Sequence, residues 1–150
     1  MSTSIDHKYF GNLAKETEEE GIVSFTGEFT IADGEPFEVH ITGEESESDE
    51  EILNKAQAAH EIFVSRVNEL RKAGVDQVIS DEVLADIVED SGEELTREDL
   101  YKAYEIIMVA NYFTECDEVS IYFEDDGLGG VDVNLVTDFT FSKLSVQGDG

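Results

Sequence analysis

Carboxylates dominate the chemistry open to this chain. Thirty-seven Asp and Glu stand against nine Lys and Arg, a formal charge of −28 at pH 7. They gather in runs at Glu18–Glu20, Glu44–Glu51, Glu115–Glu118 and Glu124–Asp126. Clustered carboxylates suit docking of a basic protein, capture of a hard cation, or acid–base catalysis. The same field repels nucleic acid and anionic lipid, so direct binding of either is not expected. The plainer alternatives are a solvated acidic coat and adaptation to high salt. The scarcity of lysine fits salt adaptation and DNA mimicry equally.

The cation and catalytic readings find no anchor. Glu124, Asp125, Asp126 and Asp132 could gather around calcium, but they lack the alternating ligands and distal glutamate of an EF-hand loop. Asp-Asp-Gly reads more cheaply as a tight turn. His7, His40, His60 and Cys116 share no metal-like spacing, so the histidines read as structurally ordinary and no cofactor or metal is expected. Glu115 and Asp117 flank Cys116, and their charge should raise the thiol pKa, which disfavours a nucleophile. There is no G-x-S-x-G, phosphate loop, G-x-G-x-x-G or H-E-x-x-H. Nothing selects one carboxylate pair as acid and base, so an enzyme is not expected.

The element that must organise these groups is the stretch Ser48–Gly74. Apolar residues recur at Ile52, Ala56, Ala59, Phe63, Val67 and Leu70, the 3.6-residue period of a helix with one buried stripe. Leu53, Ile62 and Val64 widen the stripe. Ser48 and Glu51 have capping-box spacing, and Gly74 falls where a helix often ends. Between Ile52 and Ala73 the chain carries Lys55, Arg66, Arg71 and Lys72 against Glu61 and Glu69. The helix is thus the one element that is not acidic. The basic residues of its last turns would complement the helix dipole.

Strands are expected on both sides of it. Residues 1–8 read as polar and mobile, Tyr9, Phe10 and Leu13 as a short apolar patch that begins a strand or packs as a lid, and Lys15–Gly21 as a charged turn. Val23, Phe25, Gly27, Phe29 and Ile31 alternate with polar residues, Asp33-Gly34 signals a hairpin, and Phe37, Val39 and Ile41 alternate on the return. After the long helix, Ser80 caps a short helix with Val83, Leu84, Ile87 and Val88 on one side, and residues 89–94 form a loop. Thr96 starts a third helix with Leu100, Tyr101 and Tyr104. Residues 106–113 favour a strand through their β-branched and aromatic content. Val119–Phe123 and Val131–Leu135 alternate around the turn 125–130. Phe139 and Phe141 open a last strand, with a break near Ser142-Lys143 and a frayed Gly148-Asp149-Gly150 end. The expectation is one α+β domain, 1–150: an antiparallel sheet from an N-terminal hairpin and C-terminal strands, covered on one face by the long helix and two short ones.

This layout resembles a loose group of small acidic bacterial domains of unknown function. The likeness rests on Tyr9-Phe10-Gly11 before a hairpin, on a central helix behind an acidic run, and on Leu95–Gly148. In that last stretch Thr96 to Leu100 leads to paired strands, a turn at Asp125–Gly127 and a closing strand. The group usually carries a Gly-His pair after the acidic strand. Here the positions read Gly129-Gly130-Val131, so no role of that histidine carries over. Some of the group look like immunity proteins of toxin systems, which implies binding rather than catalysis.

The expected function is therefore that of a non-enzymatic acidic binding protein, immunity-type by that resemblance, neutralising a basic protein partner such as a toxin or nuclease. The alternatives are a DNA mimic inhibiting a nucleic-acid-binding or defence protein, and a salt-adapted domain with no specific partner. The candidate partner-binding residues are Glu44, Glu45, Glu47, Tyr122, Glu124, Asp125 and Asp126, with exposed aromatics such as Tyr122 or Tyr112 buried on docking. No apolar N-terminal run reads as a signal peptide and no apolar run would span a membrane, which leads to a cytoplasmic expectation.

Overall fold

A computed structural model describes residues 2–17, 21–30, 36–92, 94–105, 107–124 and 132–149. The alternating segment 22–43 is a hairpin, as expected. Strand β3 (Ile22–Phe29) pairs antiparallel with β4 (Phe37–Glu44), with Phe25 opposite Ile41 and Val23 opposite Gly43. Val23, Phe25, Phe37, Val39 and Ile41 are all buried. The expected Asp33-Gly34 turn lies outside the described residues.

The N-terminus departs from expectation. Residues 18–20 of the expected charged turn lie outside the described residues; residues 2–17, which include its residues 15–17, are neither a mobile tail nor that turn. They form β1 (Ser2–His7) and β2 (Gly11–Thr17), an antiparallel pair added to β3. Gly11, at φ +77, takes the left-handed conformation that leads the turn into β2. Only Ile5 and Leu13 carry the inward alternation of this pair, and Leu13 is buried. With so few apolar positions, pairing to an existing edge shapes these strands more than their own pattern does.

The second half repeats the meander. Strands β5 (Ile107–Phe113), β6 (Glu118–Glu124), β7 (Asp132–Asp138) and β8 (Ser145–Asp149) follow one another antiparallel. The sheet has eight strands in the order β1 to β8. One pair corrects the all-antiparallel expectation: β4 and β5 are parallel, with Val39 opposite Ala110. A parallel pair needs a long crossover, and here it contains all three helices. Two four-stranded meanders thus meet at a parallel seam.

Helix α1 (Asp49–Val78) is longer than the apolar pattern suggests, about 45 Å at 1.5 Å per residue. Ser48 caps it, its hydroxyl accepting the Glu51 N–H at 3.1 Å. Gly74 does not end it. A Cβ there would meet Val133 Cγ1 at 2.9 Å, so the glycine lets helix and sheet approach closely. The helix continues another turn, and no basic residue occupies its last turn, contrary to the expected dipole complement. The predicted stripe holds: Ile52, Leu53, Ala56, Ala59, Phe63, Val67 and Leu70 are buried, facing the sheet. Ile52 packs near Gly43 of β4, and Gly74 lies on β7, so α1 crosses from the first meander to the second.

Helix α2 (Asp81–Ser91) is capped by Ser80 and ends on Gly92 at φ +72, running further than the expected loop boundary. Helix α3 (Arg97–Ala103) starts with a full capping box between Thr96 and Asp99. Arg97 ties the helices together, reaching Asp76 at 3.0 Å, Asp81 at 2.8 Å and the Ile79 carbonyl at 2.9 Å.

Phe139 and Phe141 do not open a strand. The Asp138 carboxylate accepts the Ser142 N–H at 2.9 Å and the Thr140 and Ser142 hydroxyls at 3.0 and 2.8 Å. Phe141 sits at φ +57. This side-chain turn competes with the ladder and delays β8 to Ser145. The freed Phe141 ring stacks on Phe63 at 6.1 Å. The expected break at Ser142-Lys143 is present. Gly148 and Asp149 belong to β8 rather than to a frayed end.

Candidate binding surface

Side chains alternate across each strand, and the helices occupy one face only. On the opposite, outer face no described large side chain is fully buried. The register sets its rows. One runs Ser4, Ala14, Thr26, His40, Asn111, Ser120, Val136 and Ser145 across all eight strands. The next carries Glu38, Val109, Tyr122, Asn134 and Gln147. Beyond His40, these two central rows are neutral from β5 to β8.

Acid collects at the two ends of these strands. One end holds Glu16, Glu44, Glu118 and Asp138, the last two directly opposite each other on β6 and β7. The other holds Glu28 opposite Glu38, with Glu124 and Asp132 at the far ends of β6 and β7. Like charges directly opposite are unfavourable in a ladder. They form two acidic rims around a neutral band in which Val109, Tyr122 and Val136 are half-buried.

Hydrogen bonds stiffen the band. Asn111 Nδ2 donates to the Ser120 carbonyl at 3.2 Å, and the Ser120 hydroxyl donates to Asn134 Oδ1 at 3.0 Å. The Tyr122 hydroxyl donates to Asp132. His40 Nε2 lies 3.0 Å from Glu38 Oε2, on the outer face as expected. At the first rim the Thr42 hydroxyl lies 3.0 Å from both oxygens of Glu115.

The structure does not bring the predicted site residues together. Glu44 ends β4, and Glu45 and Glu47 sit in the turn behind it, the Glu45 N–H donating to the Gly21 carbonyl at 2.6 Å. Glu124 pairs with Ile107 at the start of β5, while Phe113 at its end lies beside Thr42. Because β4 and β5 run parallel, the Glu44 turn and Glu124 fall at opposite ends of the sheet. Tyr122 lies on the outer face between the two rims. Asp125 and Asp126 lie outside the described residues. Tyr112, offered as a docking aromatic, is on the inner face and fully buried, which removes it from any surface role. Sequence reasoning missed Val109, Asn111 and Val136, whose shared face follows only from strand register.

His60 is not an ordinary surface histidine. It lies in the buried stripe of α1, with the rings of Tyr9, Phe10, Phe29, Phe37, Phe63 and Tyr112 centred 4.5 to 5.9 Å away. The Tyr112 hydroxyl pairs with His60 Nδ1, and His60 Nε2 has no hydrogen-bond partner among the described residues. Burial drives the imidazole pKa down to about 3 and holds the Tyr112 phenol well above its usual value. Both groups are therefore neutral, and one hydrogen bond joins the phenol oxygen to Nδ1. The Cys116 thiol is exposed, and its pKa is raised by partial burial and then by Glu115, Glu118 and Asp117. Among the described residues no three His, Cys, Asp or Glu are placed to hold a metal ion, and no helix is long and apolar enough to cross a membrane.

No family model, characterised protein or solved structure matches this chain.

Proposed function

We propose that the chain is an acidic binding protein whose outer sheet face docks a basic protein partner. The observation that carries the reading is the pattern of that face: a neutral band with half-buried Val109, Tyr122 and Val136, bounded at both strand ends by carboxylates. Specific interfaces share this plan, with charge depleted at the centre and a polar rim around it. The rims would steer a cationic surface into place, and the band would be desolvated on contact. Lys15, Lys55, Arg66 and Arg97 each pair with a carboxylate of the same chain, which keeps these four from competing for the rims. A basic toxin or nuclease is a partner of the required chemistry, in keeping with the immunity-type resemblance.

Affinity capture at low salt from the source cell tests the reading when three baits are compared. The wild-type chain and an α2 control, Glu82→Gln with Asp86→Asn, should retain the same basic protein. A bait carrying Val109→Lys and Val136→Lys should lose it. If no captured protein distinguishes the outer-face bait from the control, the reading fails.

A further inference from the structure

We propose that the β1–β2 hairpin is an acid-sensitive lid over the buried aromatic cluster, latched to α1 by two histidines, His7 and His60, and held shut while the buried His60 ring is neutral. This inference does not depend on the proposed partner.

The first latch is His7. Its Nδ1 accepts the backbone N–H groups of Tyr9 at 3.2 Å and Phe10 at 3.3 Å, and its Nε2 lies 3.3 Å from Asn54 Oδ1 on α1. Accepting at Nδ1 requires a lone pair there, so Nε2 carries the proton and donates to Asn54. This ring therefore fixes the turn that carries Tyr9 and Phe10 to α1. The second latch is His60. The lid lays Tyr9 and Phe10 on its ring at 5.8 and 5.5 Å, and the ring is fully buried. An imidazolium there would be a charge among aromatic rings with no anion in contact among the described residues, and the closed state resists it.

The groups around both latches are few. Facing His60 are the phenols of Tyr9 and Tyr112. Phe29 and Phe37 face it from β3 and β4, and Glu61 is its exposed neighbour on α1. Around His7 a cleft of about 290 Å³ is lined by Asp6 and Lys8 of the hairpin and by Asp49, Glu50 and Asn54 of α1. Asp6 is bonded to Asn12, and Asp49 to Lys15. Strand β1 is the sheet edge, so the hairpin can part from α1 while the ladders from β3 to β8 stay closed.

Opening would return His60 from about 3 towards its ordinary value near 6.5. Proton linkage then raises the open-to-closed ratio between pH 7.5 and pH 5, up to a ceiling of about 30-fold that full return would give; the rings of Phe29, Phe37, Phe63 and Tyr112 stay beside His60 and keep the rise below it. Hydrogen exchange on the full chain, corrected for the intrinsic rate, measures this. Amides of residues 12–16 should lose protection several-fold over that interval, and by no more than about 30-fold, while those of 119–123 keep theirs. His60→Leu should remove most of the pH dependence. If His60→Leu does not fold, His60→Gln serves instead: its amide stays neutral over that interval, and the dependence should shrink. The proposal is overturned if protection at 12–16 is the same at both pH values. It is equally overturned if 119–123 opens in step, or if the folded variant opens as the wild type does.

Discussion

A hydrogen bond between the Tyr112 hydroxyl and His60 Nδ1, inside a ring of aromatic side chains, joins the middle of α1 to the central strand β5. It is a polar bond in the driest part of the core. Tyr112→Phe would leave a second nitrogen of the same buried imidazole without a partner. An unsatisfied buried donor or acceptor costs about 1–3 kcal/mol. Urea unfolding at pH 7.5 should show a loss of that size.

The same imidazole gives global stability a pH slope. Its folded pKa of about 3 lies below the unfolded value of 6.5, so the unfolded chain binds more protons between them. The full contribution is present above pH 6.5 and declines as pH falls towards 3, at a limiting rate of about 1.4 kcal/mol per pH unit. His60→Leu should flatten the slope between pH 6 and pH 4.5. Denaturation midpoints across that range check it.

Gly74→Ala sets helix propensity against packing. Alanine in a helix interior is favoured over glycine by about 1 kcal/mol. The new Cβ would meet Val133 Cγ1 at 2.9 Å, and overpacking a filled core costs about 1–3 kcal/mol. The expected result is net destabilisation, reversed when Val133→Ala is added. Thermal unfolding of the single and double variants decides the sign.

Arg71 is buried over the Phe123 ring at 5.7 Å, with Nε unpartnered and Glu105 at 3.9 Å. Burial lowers its pKa, against the smaller opposing pull of Glu105. A poorly matched buried cation is often replaced by an apolar residue without loss. Arg71→Met should leave stability unchanged or raise it by about 1 kcal/mol in urea unfolding.

Much of the architecture is legible in the residues, and the exceptions have causes. The 22–43 hairpin and the α1 stripe follow from periods of 2 and 3.6, and Thr96 announces α3 by its cap. The strand 107–113 follows from β-branched and aromatic content, although it adjoins a helix. Strands β1 and β2 are hidden because Ile5 and Leu13 alone mark their inner face. Gly74 misleads because a glycine at close approach and a glycine at a helix end look alike in one dimension. Phe141 misleads because the Asp138 carboxylate diverts the backbone of 140–143 into a turn. For the binding surface, composition locates the acidic runs but not the face they frame. The parallel β4–β5 seam places Glu44 and Glu124 at opposite ends, and only register reveals the neutral band between them.

The two rims should act on association more than on dissociation. With a captured partner, Glu28→Gln together with Glu118→Gln removes one charge from each end and leaves the two central rows intact. The association rate should fall several-fold and its salt dependence weaken, with the dissociation rate little changed. Stopped-flow mixing over a range of ionic strength measures both.

The account rests most heavily on which face binds, and methyl NMR during titration with the captured partner reads that directly. The account expects Val109 and Val136 methyls on the outer face to shift and broaden, while Val64 and Leu84 on the helical side stay in place. Shifts confined to Val64 and Leu84, with Val109 and Val136 unmoved, would contradict it.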